Sequence, residues 1–189
     1  PKTAQRMAFS LLEQQRAQGL QLADALQAAM TNIQHCQRCR NFSDTDLCHI
    51  CQDKARDPKL LCIVESPLDV LAIEQTLIYK GYYFILLGHL SPLDGIGPER
   101  LGLLDLKKIA QEDPIEELIL ATNPTVEGEA TAQYIADLFD PDDHLRITRL
   151  AHGIPMGGEI EYLDATTLGH ALFARRGHSH NSEFSPHTT

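Results

Sequence analysis

Four cysteines stand as two pairs, Cys36-x2-Cys39 and Cys48-x2-Cys51, with eight residues between the pairs. This is the spacing of a tetrahedral four-thiolate zinc site, in which each pair closes a knuckle whose backbone N–H groups bond the sulfurs. Four thiolates fill the coordination shell, so the Zn2+ they imply is structural rather than catalytic. His35 and His49 flank the cysteines as rival ligands, but the paired thiols already complete the set. Too few apolar residues lie between 36 and 51 for that stretch to fold without a metal. The fifth cysteine, Cys62, falls within an apolar run and reads as a small core residue.

A second group of polar residues sits where apolar runs end. Leu60 to Val64 leads into Glu65-Ser66-Pro67, and Leu118 to Ala121 leads into Thr122-Asn123-Pro124, with Glu127 and Glu129 just beyond. In an open α/β sheet, ligands bind past the carboxyl ends of the strands. If the two strands are neighbours, Glu65, Asn123, Glu127 and Glu129 converge on one rim. Carboxylates gathered in that way could hold Mg2+, which takes a few carboxylates plus waters and a phosphate; whether this rim does so is left open. Glu129 alone reads as a first-turn residue that suits the helix dipole, whereas Glu65 and Glu127 read as a shared functional edge. Neither a GxxxxGK[ST] loop nor a Ser/His/Asp nucleophile set offers other chemistry, and a phosphate-binding role for the loop 153–158 rests on glycine content alone.

The elements that must position these residues follow from periodicity. Ala4, Met7, Ala8, Leu11 and Leu12 predict a helix over 3–18 that Gly19 stops, and Leu22, Leu26, Ala29 and Met30 predict another over 20–33. From Lys59 onward strands alternate with helices. Strands are expected at 60–64, 83–87, 118–121 and 145–150, with helices over 67–80, 99–111 and 127–138. That alternation predicts a parallel, right-handed α/β sheet. A long turn-rich loop covers 88–97, and a glycine-rich one covers 151–158. Glu159 to Tyr162 reads as an edge strand and 166–176 as a terminal helix. The polar remainder, GHSHNSEFSPHTT, reads as disordered, and its histidines carry no assigned role.

The net charge is −10, which argues against nucleic-acid binding through bulk charge, but the charge is uneven. Residues 1–59 carry eight Lys/Arg against six Asp/Glu, and residues 60–189 carry eight against twenty. Phosphate contacts are therefore expected from the N-terminal third, and the acidic remainder suits a basic partner or a metal ion. No long apolar run marks a membrane span and no secretory signal opens the chain, so a cytoplasmic protein with reduced cysteines is expected. Pro1 at a helix start normally has a turn before it, so a preceding segment is expected.

The runs VESPLDV (64–70), GHLSPLDGIGP (88–98), ATNPTVEGEAT (121–131) and HGIPMGGEIEY (152–162), with the four-cysteine knuckle and PKTAQRMAF, resemble the RecR family of bacterial recombination mediators. The likeness runs to about Arg176. It implies an α/β fold: a parallel-sheet Toprim domain preceded by a small helical segment and a four-cysteine zinc finger. The implied division is 1–34 for the second half of a helix-hairpin-helix, 35–55 for the finger, 58–152 for the Toprim domain, 153–176 for a C-terminal loop and helix, and 177–189 for the tail. It further implies DNA repair with RecO and RecF, loading RecA onto gapped single-stranded DNA, and a homo-oligomer that is a dimer or a tetrameric ring.

In the catalytic Toprim enzymes that this domain resembles, a Glu follows the first strand and an Asp-x-Asp pair follows the third. Glu65 keeps the first position, but Asn123 and Thr125 stand at the other two, and neither supplies an anionic oxygen. The likeness therefore implies a catalytically silent domain, with a Mg2+-dependent nuclease or primase-like enzyme as the alternative. It also makes Lys2 and Arg6, four apart on one helical face, the phosphate contacts of a helix-hairpin-helix.

Overall fold

The computed structural model describes residues 2–139, 145–151, 153–155, 157 and 159–175. It divides into two units, Pro1–Thr148 and Arg149–Thr189.

The first unit opens with α1 (Lys2–Glu13) and α2 (Arg16–Asn32). The expected stop at Gly19 is not where the helix ends, because Gly19 lies inside α2. The break falls at Gln14-Gln15, where Gln15 takes φ −135° and ψ 42°, and Arg16 donates its Nε to the Leu12 carbonyl left over at the end of α1 (3.1 Å). A single glycine costs a helix only about 1 kcal/mol, so it need not terminate one. Neither helix buries a residue, and Met7, Phe9, Leu12 and Met30 stay more than half exposed.

Next come two short antiparallel strands, β1 (Gln34–His35) and β2 (Phe42–Ser43), and the short helix α3 (His49–Gln52). The α/β layer follows: β3 (Asp57–Val64), α4 (Pro67–Glu74), β4 (Gly81–Ile85), α5 (Leu103–Glu112), β5 (Glu117–Leu120), α6 (Val126–Asp137) and β6 (Arg146–Arg149). The sheet order is β4-β3-β5-β6, with β3 parallel to both neighbours. Registers Ile63↔Leu120 and Val64↔Ile85 bring the carboxyl ends of three strands level.

Strand alternation divides the core. Leu61 and Ile63 of β3 with Tyr82 and Phe84 of β4 pack on one face against Leu106 of α5 and Ile135 of α6. Cys62, Val64, Tyr83 and Ile85 pack on the other face with Val70 of α4 and the cysteine cluster. Both faces are covered, as a parallel sheet requires, and Cys62 is a buried core residue as expected.

Other expected elements differ as well. The helix expected over 67–80 ends at Glu74, because the Thr76 hydroxyl donates to the Ile73 carbonyl (2.7 Å) and Leu77 turns left-handed at φ 58°. Leu77 and Ile78, beyond the helix end, are consequently 76% and 85% exposed.

In the second unit, the stretch expected as an edge strand forms a 3-10 turn over Ile160–Tyr162. Its amides close onto carbonyls three residues back, Tyr162 to Glu159 and Leu163 to Ile160, which leaves no extended edge to pair. Asp164 then caps α7 (Ala165–Phe173) by accepting from the Thr167 amide (2.9 Å). His152, Met156 and Gly158 of the glycine-rich loop, and the tail expected to be disordered, lie outside the described residues.

Candidate zinc centre and strand-end rim

The two CxxC pairs are delivered by the β1–β2 hairpin and by the entry to α3. The four sulfurs lie within 4.8 Å of one another and all four cysteines are buried. Sulfurs about 2.3 Å from a tetrahedral zinc stand about 3.8 Å apart, so the cluster fits that ion. Among the described residues it is the one grouping of three or more His, Cys, Asp or Glu ligands.

The Cys48 amide donates to the Cys36 sulfur (3.3 Å), the knuckle bond that the spacing implies. The electrostatics also call for a cation. Cys39 and Cys51 hydrogen-bond to the Cys48 sulfur and pull its thiol well below the ordinary range. The same contact with Cys48 pushes Cys39 up to about 12. Packed together, the four thiols cannot ionise as a set without a neutralising charge. The rival ligands are otherwise engaged or outward: His35 Nδ1 meets the Arg40 carbonyl (2.9 Å) and its ring stacks on Phe42, while His49 is exposed.

The finger covers the open edge of β4. Ile85 donates its amide to the Cys39 carbonyl (3.0 Å), extending the ladder by one bond. On the opposite face Arg38 lies 4.3 Å from the Tyr82 ring centroid and pairs with Asp113 at 2.7 Å, and Arg40 lies over Phe84. The knuckle therefore straddles the strand, cysteines to one side and arginines to the other. An uncovered edge strand would present unpaired N–H and C=O groups. Nothing in the spacing of the cysteines assigns a role to Arg38 or Arg40; their only sequence signal is their place within and just after the first CxxC.

At the rim, β3 and β5 are neighbours, and Glu65 meets Asn123 as adjacency requires. Glu65 is buried, and its Oε1 accepts the Asn123 amide N–H (2.8 Å). Its Oε2 accepts the Asn123 side-chain Nδ2 (2.9 Å) and the His89 Nδ1 (3.2 Å). Three donors from the chain occupy the oxygens that a cation would need. The Mg2+ left open by the sequence thus meets an acid whose oxygens already accept three donors, and among the described residues the rim gathers no group of three or more ligands for it.

Thr125 is the N-cap of α6, its Oγ1 accepting the Gly128 amide (3.1 Å), which gives that position a helix-starting task in place of a charge. Glu127 and Glu129 lie exposed in the first turn of α6. The shared edge expected of Glu65 and Glu127 is therefore split between one buried and one solvated acid. Gly128 explains how tightly the helix start abuts the rim: a Cβ there would stand 2.1 Å from the Asn123 carbonyl oxygen and 2.9 Å from Glu65 Oε1. His89 and Gly128 join the rim only through the fold.

Lys2 and Arg6 are exposed on α1, and Arg6 lines a cleft of about 410 Å³ between α1 and α2 with Thr3, Met7 and Leu22. Among the described residues, no helix is long and apolar enough to cross a membrane.

Known proteins match along the chain. Residues 59–151 match the Toprim domain family, and residues 1–30, 33–53 and 153–176 match, in turn, the RecR helix-hairpin-helix, the RecR four-cysteine zinc finger domain and the RecR C-terminal family. The curated Recombination protein RecR of Hahella chejuensis (strain KCTC 2396) is 54% identical over 175 residues, 93% of this chain and 87% of that protein. That of Hydrogenovibrio crunogenus (strain DSM 25203 / XCL-2) is 53% identical over 176 residues, 93% of this chain and 89% of that protein. With a four-cysteine zinc finger set against a Toprim-type parallel sheet, and with this likeness over nearly its whole length, the chain belongs to the RecR family.

Proposed function

We propose that the chain is a non-enzymatic, DNA-binding recombination mediator, acting with RecO and RecF to promote RecA loading on gapped single-stranded DNA. The observation that carries this is Glu65. A phosphoryl-transfer site needs carboxylate oxygens free to hold a metal against the developing charge, and such assistance is worth several kcal/mol. Here the buried acid accepts three donors from its own chain. Relatives that carry recombination in their name support the biological setting.

In this proposal Lys2 and Arg6 contact phosphate, and Cys36, Cys39, Cys48 and Cys51 hold one Zn2+. The rim of Glu65, Asn123, Glu127 and Glu129 docks RecO instead of a metal. The working division is 1–34, 35–55, 58–152, 153–176 and 177–189, and assembly is through copies of the chain, as a dimer or a tetrameric ring.

Fluorescence anisotropy with a labelled gapped duplex tests the DNA contacts. Lys2→Ala and Arg6→Ala should each weaken binding and lower the salt slope by about one; unchanged affinity in both removes the assignment. A second arm incubates DNA with Mg2+ or Mn2+. Cleavage that depends on the metal and disappears in Glu65→Ala would falsify the non-enzymatic assignment.

A further inference from the structure

Arg40 follows Cys39 directly and holds a left-handed backbone, φ 66°. The knuckle fixes that turn: Arg40 donates its amide to the Cys36 carbonyl (2.9 Å), and Cys36 donates to the Asn41 carbonyl (2.7 Å). Its guanidinium then leaves the finger and donates to three carbonyls of the α/β layer, those of Leu86 (3.3 Å), Arg100 (3.3 Å) and Leu101. It sits so close to Gly102 that a Cβ there would lie 2.6 Å from Nη1. Leu86 on one side, and Arg100 with Leu101 on the other, are the two feet of the loop 87–99. Leu86 and Leu101 are both fully buried, so their carbonyls have a strong need for a donor.

The start of that loop, just past Leu86, touches the rim at three points. Gly88 donates its amide to the Glu65 carbonyl (2.9 Å), His89 meets the Glu65 carboxylate, and Leu90 donates its amide to Thr131 Oγ1 of α6 (2.9 Å). We propose that Arg40 is a positioning residue for the rim: the zinc knuckle seats the loop 87–99 through this guanidinium, and the loop in turn holds Glu65 and α6 in place. Nη1 spans both feet, donating to Leu86 and Leu101, while Nη2 takes Arg100. A lysine has one nitrogen on a shorter stem, without the second nitrogen or the fixed in-plane geometry that holds these donors in place.

This rests on the rim being the docking surface, and the experiment separates the two. Hydrogen exchange is followed by mass spectrometry on the full chain carrying Arg40→Lys, with zinc content measured alongside. The expected result is exchange about tenfold faster at Gly88, Leu90, Ser91 and Ile96, the scale of a local opening, with one zinc per chain retained and the β3–β5 ladder unchanged. Parent-like protection over 87–99 overturns the proposal. So does loss of zinc together with protection everywhere, since Arg40 would then serve the knuckle and not the loop.

Gly102→Ala, which crowds the guanidinium and strains a left-handed residue (φ 71°), should loosen the same amides; if Arg40→Lys does not yield folded protein, parent-like exchange in Gly102→Ala overturns the proposal. In a docking assay with the partner assigned above, Arg40→Lys should weaken binding alongside Glu127→Ala. Intact docking in Glu127→Ala, with a loosened loop in Arg40→Lys, removes the docking surface and leaves the positioning role standing.

Discussion

Asn123 shows how one residue type redirects a site. Where the Toprim pattern has an acid, this chain has an amide that donates twice to Glu65, once from the backbone and once from Nδ2. Asn123→Asp replaces the side-chain donor by a second carboxylate facing a buried one. It should cost about 1–3 kcal/mol at neutral pH, the scale of a lost buried bond with like-charge repulsion added. Two acids so placed share a proton, which raises one pKa, so the penalty should shrink as the pH falls through the carboxylate range. Urea unfolding at pH 7 and pH 5 measures both effects, and an equal penalty at the two values would argue against the contact.

Glu74 offers a second test, in which the pKa is lowered instead of raised but the effect again fades in acid. Burial opposes its charge, but hydrogen bonds from Arg56 and Tyr83 outweigh it and hold Glu74 below its ordinary 4.5. A depressed folded pKa means stability that is complete above the unfolded value and lost as pH falls through the folded one. The difference in Tm between the parent and Glu74→Gln should therefore be largest near neutrality and close up in acid, below the ordinary 4.5.

Among the elements, α6 is closely fitted to the rim at its start. It starts on the Thr125 cap and presses Gly128 against the Asn123 carbonyl. Backbone cannot yield as a side-chain tip does, so Gly128→Ala should destabilise by about 2–3 kcal/mol, the cost of overpacking. Denaturant midpoints would show it, and a neutral result would mean that the close approach is not what places the helix. The periodicity made α6 and the sheet strands legible, because each carries an apolar run of the right length. It misplaced the ends of α1 and α4, where the outcome depended on a hydroxyl, a side-chain donor and one left-handed residue. Those are local choices that a 3.6-residue period does not encode.

For the molecule as a whole, the finger and the α/β layer are one structural problem. The cysteine cluster shares a core with β3, β4 and α4, and the knuckle closes the β4 edge. Stripping the metal should thus do more than unfold residues 33–53. Cys36→Ser, or a strong chelator, is expected to remove one zinc per chain and to lower the Tm of the α/β layer, as metal binding is coupled to folding. Differential scanning calorimetry with metal analysis checks this; an unmoved main transition would make the finger an independent appendage.

The amino-acid sequence by itself determined the zinc ligands, the alternation of strands and helices, and the absence of acids at positions 123 and 125. Each of these is a matter of residue type and short spacing. It also put Glu65 and Asn123 at the ends of two strands, without saying that those strands touch. Only the tertiary structure decided that β3 and β5 are neighbours, that Glu65 is buried under three donors, and that Glu127 remains in solvent. Only there does Arg40 reach carbonyls some 46 to 61 residues away along the chain. Long-range pairing is set by which surfaces bury together, and no local spacing specifies where a guanidinium at the end of a long side chain will find its acceptors.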